Sequence, residues 1–300
     1  MINAIEYVTE RKGVLYALSA DKNVTQNNAW HLARISGNGM PPTSALGGAS
    51  YGVVGRSYNG LAVDAREIEV EMYADGFSPA GCQQLLNEAS HIFSTDNEAL
   101  GILKLTNAAG ERFRIAAKAV DFSINASKRR SALVDAVFHC PYAYFESDVL
   151  QSAPLFAIEG GKEYPINEGL ERPYTFGNVT KDAAEHELIL YNAGDVAAPC
   201  TIKLFGAGLS NVEIVNETTG AAIIVSGMSV GGIEIGTDEN NLYARFDDGA
   251  DASAYVSLFS DIASFNLAPG ANALRVNMEA SSVTAAGTSI EWRGRYSLCL

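Results

Sequence analysis

The chain has 300 residues, more than one domain of ordinary size needs, and its 47% apolar and 19% charged content is typical of globular proteins rather than disordered ones. The formal net charge of −14 argues against a module that grips nucleic-acid phosphates with Lys and Arg. Residues 1–146 carry 13 basic and 15 acidic residues (net −2), whereas residues 147–300 carry 8 and 20 (net −12). This difference predicts two domains. Residues 147–182 contain three prolines and a Gly-Gly pair with little periodicity, which predicts the connection and the first short strands there and domains at 1–146 and 183–300.

The start of the chain lacks a basic segment followed by an apolar run, and no later stretch is as long as a membrane span. We therefore expect a soluble protein without a standard export signal and without a membrane partner. The four cysteines are scattered and form no Cys-x-x-Cys pair, which predicts reduced, mostly buried thiols and no disulfide. They are Cys82, Cys140, Cys200 and Cys299.

One helix is predicted in the first half. Ser78 is a suitable N-cap and Pro79 fits the first turn. Apolar residues then recur at helical spacing and predict one face packed on a sheet. They are Cys82, Leu85, Leu86, Ala89, Ile92 and Phe93.

Upstream of this helix, residues 66–73 alternate strictly between two classes of side chain. Ile68, Val70 and Met72 share one face, and Glu67, Glu69 and Glu71 share the other. This alternation is typical of a strand that is buried on one side only.

A hairpin is predicted after the helix, with strands at residues 102–105 and 113–117 around an Asn107–Gly110 turn. Another strand covers residues 132–140 and stops at Pro141. Residues 36–60 are rich in Gly, Ser and Pro and predict a long exposed loop.

The second half shows short β-rich runs separated by turn signals, which predicts an antiparallel β-sandwich. The runs are residues 187–191, 201–205, 212–215, 222–226, 242–246, 273–278 and 289–296. The predicted turns are residues 206–208, 218–220, 247–249 and 269–270.

Catalytic and metal-binding signatures are weak. Ser50 lies in a Gly-x-Ser-x-Gly match, but its surroundings are a glycine-rich loop rather than the strand-to-helix turn that a hydrolase nucleophile needs. The four histidines, His31, His91, His139 and His186, lack metal-ligand spacing. Asp247, Asp248 and Asp251 miss the spacing of a calcium loop and favour a solvated turn. The sequence predicts no enzyme, no cofactor and no metal site.

Two classes of function remain: an assembly protein that acts through its surfaces, and a carbohydrate-binding β-sandwich that aids adsorption to a host. Sugar sites on such sandwiches use exposed aromatic rings, and Trp292 is the one tryptophan of the second half. The strand pattern around Trp292 is equally compatible with a core position.

Both halves resemble the distal tail protein (Dit) family of siphophages and related prophages, over nearly the whole chain. In the first half the resemblance rests on the helix, the hairpin and the exit at residues 137–144 (Val-Phe-His-Cys-Pro-Tyr-Ala-Tyr). In the second half it rests on the order of several motifs, which are residues 191–195, 204–208, 216–220, 265–272 and 291–296.

The resemblance implies a mainly β fold with one helix. The first domain would be a split-barrel or β-sandwich with a helix and a hairpin, and the second a galectin-like antiparallel β-sandwich. It also implies a homo-hexameric ring in the virion, at the phage tail tip, made in the bacterial host cytoplasm. Its partners would be the tail-tube ring and the tail-associated tip or baseplate protein, and double-stranded DNA would pass without specific binding. A tail-tube subunit is the alternative among phage proteins, although it would not need a second sandwich of this size.

In such a ring, the shared face of Glu67, Glu69 and Glu71 is a candidate lining of the central channel. Duplex DNA carries one negative charge per about 1.7 Å of its axis, so an acidic wall would let it slide. The alternative is that these glutamates form an ordinary solvated face, or pair with Lys and Arg on a neighbouring strand.

Overall fold

A computed structural model of the chain describes residues 2–9, 13–19, 29–46, 60–94, 99–155, 162–164, 174–176, 185–279 and 288–299. The chain divides into two compact units. The first unit comprises Met1–Asp148 and Tyr296–Leu300, and the second comprises Val149–Arg295. The last few residues therefore return to the first unit. Within the described residues the α-helix is 14 residues long, short of the roughly 20 that a membrane span requires.

Residues 1–148 of the first unit form β1 (Ile2–Thr9), β2 (Gly13–Ser19), β3 (Ala29–Ser36), β4 (Thr43–Leu46), β5 (Gly60–Val63), β6 (Arg66–Asp75), α1 (Pro79–Ile92), β7 (Gly101–Asn107), β8 (Arg112–Ser127), β9 (Ser131–Cys140) and β10 (Phe145–Ser147). The strands that follow are β11 (Gln151–Pro154), β12 (Lys162–Tyr164), β13 (Tyr174–Phe176), β14 (Glu185–Asn192), β15 (Ala198–Asn216), β16 (Ala221–Val225), β17 (Met228–Asp238), β18 (Asn241–Phe246), β19 (Asn266–Leu267), β20 (Gly270–Glu279), β21 (Ser289–Trp292) and β22 (Arg295–Tyr296).

The main sheet of the first unit closes into a barrel. Its strand order is β22-β10-β8-β7-β1-β2-β3-β6-β9, and β9 also pairs with β8. The long strand β8 makes this closure possible, because residues 112–117 pair with β7 while residues 118–127 pair with β9. The β2–β3 pair is parallel, and the other pairs described in this sheet are antiparallel. An interior of apolar side chains follows from the alternation of each strand.

Three aromatic rings lie in the core of the first unit. The Phe138 ring lies 4.9 Å from that of Tyr7 and 5.7 Å from that of Phe93. Phe93 directly follows α1, which contacts β2, β6 and β9 and buries Cys82, Leu85 and Ala89. The predicted helix and its apolar face are therefore confirmed, with Leu86 and Ile92 at the half-buried margin.

The start of α1 depends on one hydroxyl. The Ser78 Oγ accepts a hydrogen bond from the backbone N–H of Gly81 at 3.1 Å. We expect Ser78→Ala to lower the free energy of unfolding by about 1 kcal/mol, because one N–H of the first turn loses its acceptor. Urea unfolding measures the change. Ser90→Ala, at an exposed position inside the same helix, should cost nothing or stabilise slightly, and equal losses in both variants would contradict the role of the cap.

The predicted hairpin and closing strand are also confirmed. Gly110 has φ of 86° and donates its N–H to the Asn107 carbonyl oxygen in the turn between β7 and β8. Strand β9 ends at Cys140, directly before Pro141. The predicted long loop at residues 36–60 is wrong in part, because β4 pairs with β5 in a short antiparallel sheet. Residues 47–59, which include Ser50, lie outside the described residues.

Two sheets of the second unit share the long strand β15, and β12 pairs separately with β13. One sheet has the order β11-β21-β15-β17-β18, and in the other β20 pairs with β14 and β15, which also pairs with β16. Apolar side chains from both sheets form a single core. The predicted fold class, mainly β with one helix and an antiparallel β-sandwich in the second half, is confirmed.

The turn predicted at residues 206–208 is wrong. These residues continue β15, so the two strands predicted at 201–205 and 212–215 are one. Glycine weakens a strand but does not end it, and here Gly206 stays in the ladder opposite Gly231 of β17. The strand changes sheets a few residues later, where Asn211 has φ of 53° and the register with β20 shifts. Strand β17 was not predicted, because Gly231, Gly232 and Gly236 interrupt its apolar pattern.

Candidate functional site

The three glutamates of β6 stand on the outer wall of the barrel. Ile68, Val70 and Met72 are buried in the core, as the alternation predicts. Glu67 and Glu69 are exposed, and Glu71 is half-buried. The three carboxylates therefore share one face of one strand, opposite the core.

The neighbouring strands add further polar groups to this face. Glu69 accepts a hydrogen bond from the Ser36 hydroxyl of β3 at 3.1 Å. Glu71 stands opposite Arg34 of β3 on one side and opposite Asp135 of β9 on the other. Because like charges directly opposite each other destabilise a strand pair, the Glu71–Asp135 pair does not stabilise the sheet.

A groove of about 260 Å³ runs over this wall. It is lined by Arg34, Ser36, Glu69, Val70, Glu71, Asp121, Ser123, Asp135 and Val137. We call this set the acidic face. Four of its members are carboxylates and one is an arginine, so the groove carries excess negative charge. Asn125 donates a hydrogen bond to Asp135, which holds one of these carboxylates in place.

Another part of the barrel wall has the opposite character, because its charges are paired. Lys104 lies 3.4 Å from Asp148, Arg114 lies 3.8 Å from Glu146, and Arg112 lies 3.5 Å from Glu6. These side chains belong to β1, β7, β8 and β10 or, for Asp148, follow directly after β10. The groove with excess negative charge therefore lies in a different sector, around β6 and β9.

Arg66, the first residue of β6, is a buried charged residue. It is 1% exposed, and its guanidinium donates to the carbonyl oxygens of Gly37 (3.3 Å), Gly39 (3.0 Å) and Ser297 (2.9 Å). The guanidinium also lies 4.4 Å from the centre of the Phe145 ring. Burial lowers the pKa of Arg66. Its partners are neutral, since burial raises the pKa of the nearby Cys140 thiol to about 12 and keeps that thiol protonated.

Arg66 thereby joins three distant parts of the first unit. A second connection lies beside it, where Asn38 donates its side-chain N–H to the Cys299 carbonyl oxygen at 2.7 Å and accepts from the Cys299 N–H at 2.9 Å. The C-terminal segment is thus fixed to the loop at residues 37–39, next to the start of β6.

In the second unit, three buried asparagines each organise a turn. Asn192 accepts from the Gly194 N–H and donates to the Val196 and Leu267 carbonyl oxygens. Asn216 accepts from the Thr218 N–H and donates to the Asn266 carbonyl oxygen.

Asn272 accepts from the Ala268 N–H at 2.8 Å and donates to the carbonyl oxygens of Ala268 (2.7 Å) and Gly270 (3.1 Å). The three asparagines occupy the motifs at residues 191–195, 216–220 and 265–272. The asparagines of these motifs therefore stabilise turns and do not indicate a catalytic site.

Trp292 is a core residue. It is 7% exposed and belongs to the hydrophobic core of the second unit. A buried indole cannot stack on a sugar, so the structure does not support the hypothesis of a sugar site at Trp292.

No group of three or more His, Cys, Asp or Glu with ligand geometry occurs among the described residues. Asp248 accepts from the Ala250 N–H and Asp251 from Ser253, which makes both carboxylates turn-forming groups. All four cysteines are buried and free.

Comparison with known proteins gives the class, a structural component of phage tails. Residues 193–296 match the family model of the siphovirus-type tail component, C-terminal domain. No curated protein sequence matches the chain.

Solved structures give the particular fold. The chain is similar to the Dit protein of phage SPP1, a hub adsorption apparatus of phages that infect Gram-positive bacteria, with 12% identity and a TM-score of 0.59 over 89% of this chain and 93% of that one. It is also similar to a chain of the phage P2 baseplate in its activated conformation with Ca, with 12% identity and a TM-score of 0.52 over 98% and 97% of the two chains. A chain of the baseplate with Sr gives 12% identity and a TM-score of 0.51 over the full length of both. The resemblance to the distal tail protein family is thereby confirmed, and it supports a structural phage tail component.

Proposed function

We propose that the chain is a distal tail protein that assembles into a hexameric ring, joins the tail tube to the tail tip or baseplate, and lets DNA pass. One observation carries this proposal: the second unit matches a tail-component family while the whole chain shares its fold with a Dit protein. The closed rotational symmetry of a ring requires each subunit to contact unlike faces of its neighbours. A reconstruction of the tail by electron microscopy tests the proposal, and this chain in any place other than a sixfold ring at the end of the tube would contradict it.

Within that ring, the acidic face together with Glu67 of the same strand is the proposed wall of the channel, which Glu67, Glu69 and Glu71 would line. The supporting observation is the groove on this sector of the barrel, whose lining has four carboxylates and one arginine, whereas several described charges of β1, β7, β8 and β10 form ion pairs. A wall that carries excess negative charge repels the phosphates of passing DNA and so prevents binding along its path.

Replacement of all three β6 glutamates by lysine is the direct test. We expect particles that assemble but release DNA several-fold more slowly, because cationic side chains would bind phosphates. The delay should be greatest at low salt, where screening is weakest. Release is followed by the fluorescence of a DNA-binding dye after the tail is triggered.

Two controls make the result specific. Replacement of the same glutamates by glutamine should give a smaller delay, since it removes repulsion without adding attraction. Lysine at the exposed positions Glu88, Glu187 and Asp195 gives the same change in net charge away from the acidic face and should leave release unchanged. Equal delays in both lysine variants would contradict the proposed lining.

A further inference from the structure

The turn at residues 257–260 exposes two large apolar side chains of the second unit. Leu258 is 101% exposed and Phe259 is 85% exposed, which means that neither side chain contacts the rest of the molecule to any useful extent. A single exposed leucine needs no explanation, but an adjacent leucine and phenylalanine held fully in solvent mark a contact site. We call this pair the apolar knob.

The knob stands on a turn that is closed by its own hydrogen bonds. The Ser260 N–H donates to the Ser257 carbonyl oxygen at 3.0 Å, and the Phe259 N–H donates to the Ser257 hydroxyl at 3.2 Å. The backbone polar groups of the turn are thus used internally, and the two apolar side chains are left to point outward.

The turn is also fixed to the edge of the sandwich. The Ser257 N–H donates to the Ile224 carbonyl oxygen at 2.9 Å, and the Ile224 N–H donates to the Ser260 hydroxyl at 2.9 Å. The Asp261 N–H donates to the Ala222 carbonyl oxygen at 2.7 Å. Each of these bonds reaches β16, so the segment runs along that strand and covers its edge.

The base of the turn belongs to the core. Tyr255 packs edge-on against Phe246 at 5.5 Å, and Val256 makes a β-bridge with Val225. The knob is therefore a preorganised feature, and a partner that binds it does not have to order a flexible loop. Aromatic side chains that insert into a pocket are the usual energetic centres of protein interfaces.

The charge around the knob selects the partner. Residues 247–274 contain four aspartates and no lysine or arginine. Arg245, just before this segment, is paired with Glu234 at 2.8 Å. An apolar knob with an acidic surround fits an apolar pocket with a basic rim. An anionic membrane would repel this acidic surround.

We propose that Leu258 and Phe259 insert into an apolar pocket, rimmed by Lys or Arg, on a different protein of the tail. This proposal rests on the proposed function as a tail component and adds the surface and the chemistry of one of its partners.

The double variant Leu258→Ser, Phe259→Ser tests the energetic role of the knob. Because neither side chain is packed, the purified variant should melt within about 1 °C of the wild type, whereas particles that carry it should lose at least tenfold in infectious titre. Leu242→Ser, at a 47% exposed leucine of β18, is the matched control and should keep the titre. An unchanged titre in the double variant would overturn the proposal.

Photo-cross-linking identifies the partner. Benzoylphenylalanine at position 259, in assembled and purified particles, should cross-link to one discrete peptide of another tail protein, in an apolar pocket flanked by Lys or Arg, and the same label at position 242 should not. Cross-links only to lipid or to other copies of this chain, or none, would overturn the proposal while leaving the proposed function intact. Particles that lack the chain altogether would overturn the proposed function itself, and this proposal with it.

Discussion

Arg66→Ala is expected to lower the free energy of unfolding of the first unit by about 3–5 kcal/mol. The substitution leaves the carbonyl oxygens of Gly37, Gly39 and Ser297 without their donor, the Ser297 bond being buried and the other two part-buried, and it removes the guanidinium that packs on the Phe145 ring. Each buried acceptor that loses its partner costs about 1–3 kcal/mol, although neighbouring losses do not add fully.

The two tryptophans make this measurement specific to one unit, since Trp30 lies in the core of the first unit and Trp292 in that of the second. In a Trp292→Phe background, urea unfolding followed by fluorescence reports on the first unit. Arg34→Ala, which removes an exposed arginine from the same barrel, should change stability by less than about 0.5 kcal/mol. A similar small change for Arg66→Ala would show that Arg66 does not hold the unit together.

Asn272→Asp is expected to destabilise the second unit by about 3–5 kcal/mol, although the side chain keeps its shape. The two amide hydrogens that now reach the Ala268 and Gly270 carbonyl oxygens would be replaced by a carboxylate oxygen facing them. Burial of an unpaired charge against two acceptors combines desolvation with repulsion.

A Trp30→Phe background reports on the second unit, through Trp292. Asn241→Asp makes the same chemical change at an exposed position of the same unit and should cost less than about 0.5 kcal/mol. If both variants unfolded at the same urea concentration, the turn at residues 268–272 would not depend on the Asn272 amide.

The sequence predicted correctly those helices and strands that are determined by neighbouring residues in the chain. Helix α1 combines a cap, a proline in its first turn and apolar spacing, and β6 alternates without a break. The same alternation contained a signal that the sequence interpretation did not use: Arg66 has the parity of Ile68, which places it on the core face. A charged residue with core parity is a candidate for a buried, carbonyl-bound guanidinium.

Other features depend on pairings that no local pattern reveals. Asp121 and Asp135 join the acidic face only because β8 pairs with β9 and β9 with β6. The continuity of β15 through Gly206 depends on the partner strand β17. In both cases the structure depends on pairing with a strand that is distant in sequence, and the local sequence pattern does not reveal this pairing, as is common for strands.

The position of the C-terminal segment has a consequence for synthesis on the ribosome. Residues 296–299 are translated only after the whole second unit, yet the Ser297 carbonyl oxygen and the Cys299 backbone complete the bonding of Arg66 and Asn38. The nascent first unit therefore waits on the order of ten seconds for its last partners, while the second unit emerges and can fold. Synthesis of the first unit therefore begins before that of the second unit and ends after it.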